Sequence, residues 1–72
     1  MKKKFKMNNL ECANCAAKMQ EEISKLDGVN SVNVNFMFQK LTLDADDEKF
    51  DDILKKANDI CKSIESNASI DI

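Results

Sequence analysis

The sequence predicts an α+β domain of ferredoxin-like type: a βαββαβ sandwich with a four-stranded antiparallel sheet and two helices on one face. Three observations point there. The hydrophobic period switches between two and about 3.6 along the chain in the order strand, helix, strand, strand, helix, strand. Each strand run alternates apolar and polar residues, as strands with one dry face do. The 72 residues contain no proline and one glycine, which argues against a loop-rich or disordered chain.

The elements follow in order. Residues 3–7 alternate, with Phe5 and Met7 on one face and Lys4 and Lys6 on the other. The polar stretch 8–14 reads as a loop. From about Ala13 the spacing is helical: Ala16, Met19, Ile23 and Leu26 form a stripe opposite Lys18, Gln20, Glu21, Glu22 and Lys25. Asp27-Gly28 ends that helix, since Gly28 accepts a left-handed backbone. Val32, Val34 and Phe36, then Leu41 and Leu43, are the inward positions of a hairpin turning near residues 37–39, where Met37 and Phe38 are expected to cap the core. Asp46, Asp47 and Glu48 favour a helix start. Phe50, Ile53, Leu54, Ala57, Ile60, Cys61 and Ile64 recur at helical spacing, and Ala68, Ile70 and Ile72 alternate at the end.

Residues 1–72 are expected to form one metal-binding domain. A chain this short buries only about 60% of its unfolded surface, and small domains often compensate with disulfides or metal. Thirteen acidic and eleven basic residues give a net charge of -2, without the positive excess of a nucleic-acid binder. The one basic run, Lys2, Lys3, Lys4 and Lys6, reads as a soluble amino end that keeps an edge strand from pairing with other chains; the alternative is a docking surface for an acidic partner. No apolar stretch is long enough to span a bilayer, and none follows the charged start as in a secretory signal. A cytoplasmic location, a monomer, and no membrane contact by this domain are therefore expected. Three cysteines argue against a disulfide framework.

The chemistry lies in Cys12-Ala13-Asn14-Cys15, where the first strand gives way to the first helix. Thiols at this spacing turn toward one point when the second lies in the first helical turn. The helix amino terminus favours thiolates, so both cysteines are expected to have lowered pKa values. Thiolate is the soft donor for Cu(I), Zn(II) and heavier divalent ions. With no histidine, the chain cannot close a four-ligand structural zinc site from cysteine and histidine. Other readings stay open at this point: a thiol redox pair, or a structural pair in an interaction-only domain.

The segment Asn9-Leu10-Glu11-Cys12-Ala13-Asn14-Cys15, in this element order, resembles the heavy-metal-associated domain family and its Gly-Met-x-Cys-x-x-Cys motif. Leu26-Asp27-Gly28-Val29 and Val34-Asn35-Phe36 are also similar to the family. The resemblance covers nearly the whole chain and implies Cys12 and Cys15 as ligands of one metal ion, with Leu10 and Asn14 supporting the loop. Asn9 stands where the family usually has Gly, and Leu10 where it has Met. An acidic residue before the first cysteine, here Glu11, resembles the zinc, cadmium and lead branch. The resemblance thus implies the amino-terminal domain of a P-type ATPase exporting Zn(II), Cd(II) or Pb(II), binding without catalysis and passing metal to the ATPase core or to another metal-binding domain. A free-standing copper(I) chaperone is the alternative.

Two further candidates carry two readings each. Glu11 is either an oxygen ligand to a divalent ion or a solvated carboxylate. Cys61, on the apolar stripe of the second helix, is either a small buried hydrophobe or a third thiolate approaching from the same edge of the sheet.

Overall fold

The computed structural model describes residues 1–72. Its elements are β1 (Lys2–Asn8), α1 (Ala13–Ser24), β2 (Val29–Asn35), β3 (Lys40–Ala45), α2 (Phe50–Ile64) and β4 (Ser69–Asp71), with a 3-10 turn over Asp47–Lys49 leading into α2. The strands form one antiparallel sheet in the order β2-β3-β1-β4. This is the ferredoxin-like arrangement the periodicity predicts.

Alternation explains the layering. Met7, Val34, Leu41, Leu43, Ala45 and Ile70 are buried on the face that meets Ala16, Met19 and Ile23 of α1 and Phe50, Ile53, Leu54, Ala57 and Cys61 of α2. Phe5 stacks on Phe50 with ring centroids 6.3 Å apart, and the Lys3 ammonium lies 5.9 Å above the Phe50 ring. Lys4 and Lys6 stand on the opposite, open face. No buried side-chain nitrogen or oxygen lacks a partner, so the core is dry and satisfied.

Four expectations change. The lysine run does not lie on an outer strand: β1 is inside the sheet, between β3 and β4. Because β4 pairs only with Lys6–Asn8, Lys2–Phe5 keep one free side, and the edge-guarding role is confined to them. Met37 and Phe38 do not cap the core; they are 84% and 71% exposed at the tip of the β2–β3 turn. Ile72, at 68% exposure, falls beyond β4 and out of the core. Asp46 makes no side-chain cap at the start of α2, and Asp47 instead holds the chain's amino group at 2.6 Å.

Gly28 ends the α1–β2 connection at φ +95°, and a Cβ there would lie 2.9 Å from Ile53 Cδ1. Gly28→Ala is expected to cost about 1–2 kcal/mol, from left-handed backbone strain. The check is a lower urea midpoint at unchanged slope.

Candidate metal centre

Topology brings three segments to one end of the sheet: the β1–α1 loop, the β2–β3 turn and the α2–β4 connection. Each is tied to the first. Asn9 adopts φ 58°, a left-handed conformation that glycine and asparagine accept most readily, and its side-chain amide donates to the Asn67 carbonyl at 3.3 Å. The family-typical glycine at this position and the asparagine here thus answer the same backbone demand. Leu10, 2% exposed, anchors the loop in the core. Its N–H donates to Gln39 Oε1 at 2.9 Å, and Gln39 Nε2 donates back to the Leu10 carbonyl and to that of Phe36.

Cys12 is the N-cap of α1. Its extended backbone (φ -128°, ψ 116°) turns the chain into the helix, and its Sγ accepts the Cys15 N–H at 3.2 Å. A sulfur in this role satisfies an otherwise unpaired donor of the first turn. Both cysteines are partly exposed, so the pair is reachable from solvent.

The two thiols are not equivalent. The Cys12 pKa is lowered, first by the hydrogen bond from the Cys15 thiol and then by the Cys15 and Asn14 N–H groups. The Cys15 pKa is raised, because its proton is held in that bond and because ionising it would set a second anion beside Cys12. The expectation of two lowered cysteines is corrected accordingly. The helix terminus stabilises one anion, and a second negative charge a few ångströms away needs a cation to offset it.

Glu65 is the residue that pattern reading missed. It caps the carboxyl end of α2, its carboxylate accepts the Glu11 N–H at 3.3 Å, and its charge raises the pKa of both cysteines. Only the topology places it there, because the end of α2 lies at the edge that carries the loop. Asn14 sits inside the first turn of α1 rather than in the loop.

Glu11 meets this group through its backbone. Cys61 is fully buried in the core, and burial pushes its thiol up to about 11. No three of the chain's Cys, Asp and Glu side chains are gathered closely enough to hold one ion, so neither Cys61 nor Glu11 is brought into a ligand set with the pair. Alkylation is expected to follow thiolate character and access, with Cys12 fastest, Cys15 slower and Cys61 inert until unfolding. Mass mapping after limited iodoacetamide treatment checks the order.

The model of the heavy-metal-associated domain matches residues 4–69. The chain belongs to the heavy-metal-associated domain family. It is 29% identical over 70 residues to a cadmium, zinc and cobalt-transporting ATPase of Bacillus subtilis, a match covering 97% of this chain and 10% of the ATPase. It is 30% identical over 64 residues to the copper chaperone CopZ of Enterococcus hirae, covering 89% of this chain and 86% of CopZ. A solved CopZ metallochaperone superposes with a TM-score of 0.75 at 17% identity, covering 97% and 98% of the two chains, which supports the fold. This heavy-metal-associated domain is a binding domain rather than a catalyst, one that binds and transfers heavy metal. It spans about a tenth of the ATPase it matches. No helix is long and apolar enough to cross a membrane.

Proposed function

We propose that the domain takes one Zn(II), Cd(II) or Pb(II) ion between Cys12 and Cys15 and passes it on by thiolate exchange, as a cytosolic amino-terminal domain of a heavy-metal-exporting P-type ATPase. The observation that carries this reading is the place of the Glu65 carboxylate, which accepts the N–H of Glu11, the residue before Cys12, at 3.3 Å. Two thiolates satisfy Cu(I) in near-linear coordination, and an added carboxylate gives it little. A divalent ion prefers about four ligands and accepts oxygen. With Cys12 and Cys15 bound, positions remain for water or for the thiolates of an acceptor. Similarity to a cadmium, zinc and cobalt-transporting ATPase supports the same choice.

Cargo uptake completes the proton chemistry of the pair. The ion displaces the protons that the Cys12 and Cys15 thiols carry, so binding weakens as pH falls. Release uses the same openness: an incoming thiolate replaces one sulfur at a time at a partly exposed site.

The second reading, a free-standing copper(I) chaperone, rests on the likeness to CopZ over most of both chains. Anaerobic titration with Zn(II), Cd(II) and Cu(I), followed by amide shifts at Glu11, Cys12, Cys15 and Glu65, separates the two. Glu65→Gln is expected to weaken Cd(II) by about 10–100-fold, the range for loss of a group supporting a metal site, and to leave Cu(I) nearly unchanged. Equal effects on both ions favour the copper reading.

A further inference from the structure

Gln39 shares a positive φ, here 54°, only with Asn9 and Gly28. Glycine or asparagine takes that left-handed backbone at lower cost than glutamine does. What glutamine gains there shows in its partners. The register of β1 against β3 ends at Lys6↔Lys40, and Gln39 carries it on by other means. Its carbonyl accepts the Met7 N–H at 2.7 Å. Its side-chain amide then stands in for the next peptide of the strand. Oε1 accepts the Leu10 N–H at 2.9 Å, and Nε2 donates to the Leu10 carbonyl. Leu10 is buried and lies outside every helix and strand, and neither of its backbone groups has a backbone partner. A buried peptide group left unpaired is costly, and this one side chain answers both. The other Nε2 bond, 2.8 Å to the Phe36 carbonyl, braces the amide against its own turn.

The remaining ties on the loop are longer and exposed. Asn9 to Asn67 and Glu11 to Glu65 each span 3.3 Å at the surface, whereas the Gln39 bonds to Leu10 are partly buried. Gln39 thus fixes the chain two residues before Cys12.

We propose that Gln39 is a positioning residue for metal binding: from the β2–β3 turn it clamps Leu10 and so holds the loop at Cys12 in its binding form before an ion arrives. The proposal rests on the metal reading above. Gln39 acts through Leu10 and not on the ion. A loop that is already ordered loses little conformational freedom when its sulfur closes on an ion, and the difference appears as tighter binding. A sparsely used backbone conformation, kept for the reach of the side chain, fits that role.

Gln39→Asn separates the clamp from the turn. Asparagine suits the left-handed backbone, but it carries its amide one methylene shorter. Competition with a small chelator, on folded protein, is expected to show Cd(II) held about 10–100-fold more weakly by this variant, the range for loss of a group that braces a metal ligand. Gly28→Ala is the control. It strains the fold at the opposite end of the sheet and is expected to leave Cd(II) affinity unchanged. In the metal-free Gln39→Asn protein, amide order parameters are expected to fall over residues 11–14 and to hold over residues 19–23. Wild-type Cd(II) affinity in Gln39→Asn overturns the proposal. So does an equal fall in Gly28→Ala, which would tie binding to stability at large. Should the wild type hold no Cd(II), the metal reading fails by itself. The order parameters then decide the clamp alone: a fall over residues 11–14 upholds it, and no change overturns it.

Discussion

Serine at both cysteine positions, Cys12→Ser with Cys15→Ser, is expected to abolish stoichiometric binding of Zn(II) and Cd(II) while leaving the fold in place. Removing a group that merely supports a metal ligand costs about 10–100-fold in affinity, so removing both sulfur donors costs far more. The fold survives because neither sulfur is a principal core group: both side chains are partly exposed, and serine is a better N-cap than cysteine at the Cys12 position. Isothermal titration gives the affinity, and thermal melting in excess chelator gives the stability. Cys61 makes the internal control. Its substitution by serine buries a hydroxyl in an apolar site, so it is expected to lower stability without removing the metal stoichiometry.

Leu43→Ala is expected to produce the largest loss of stability. Leu43 is fully buried on β3, one of the two inner strands, pairing with Lys3 on one side and Val32 on the other. A Leu-to-Ala change at such a site costs about 2–5 kcal/mol through lost transfer energy and the cavity left behind. At 0.05–0.15 kcal/mol per residue, a chain of this length has roughly 4–11 kcal/mol to lose. The variant is therefore expected to be partly or wholly unfolded without metal. An ion that binds only the folded state restores stability by mass action, by about 2.7 kcal/mol at a hundredfold excess over its dissociation constant. Melting with and without Cd(II) is expected to show a larger rise for Leu43→Ala than for its combination with Cys12→Ser and Cys15→Ser, which has no site for the ion.

The layers were legible in the sequence because burial acts on whole periods. Met7, Ala16, Met19, Ile23, Leu41, Leu43, Ile53, Ala57 and Ile70 each fall at the inward position that alternation or helical spacing assigns. The pair Cys12–Cys15 was legible because two thiols at that spacing cluster at a helix start. What pattern reading got wrong lies at turns and ends, where no period operates. Met37 and Phe38 are apolar, and apolarity alone assigned them to the core; the geometry of a tight turn held by Asn35 and Gln39 turns them outward. Glu65 and Gln39 were missed because each acts on a segment far away in the chain, 54 and 29 residues from its partner. Polar side chains with long-range backbone partners leave no local signature. The unequal cysteines divide in the same way: the hydrogen bonding between them is local, three residues apart, but the nearby Glu65 charge appears only once the segments meet.

X-ray absorption at the zinc edge, on dilute protein loaded with one Zn(II) per chain under reducing conditions, bears on the ligand set directly. The expected spectrum has two sulfur neighbours at about 2.3 Å, with the remaining shell made of oxygen or nitrogen. A shell without sulfur, or one with a third sulfur drawn from Cys61, would contradict the assignment of the cargo to Cys12 and Cys15.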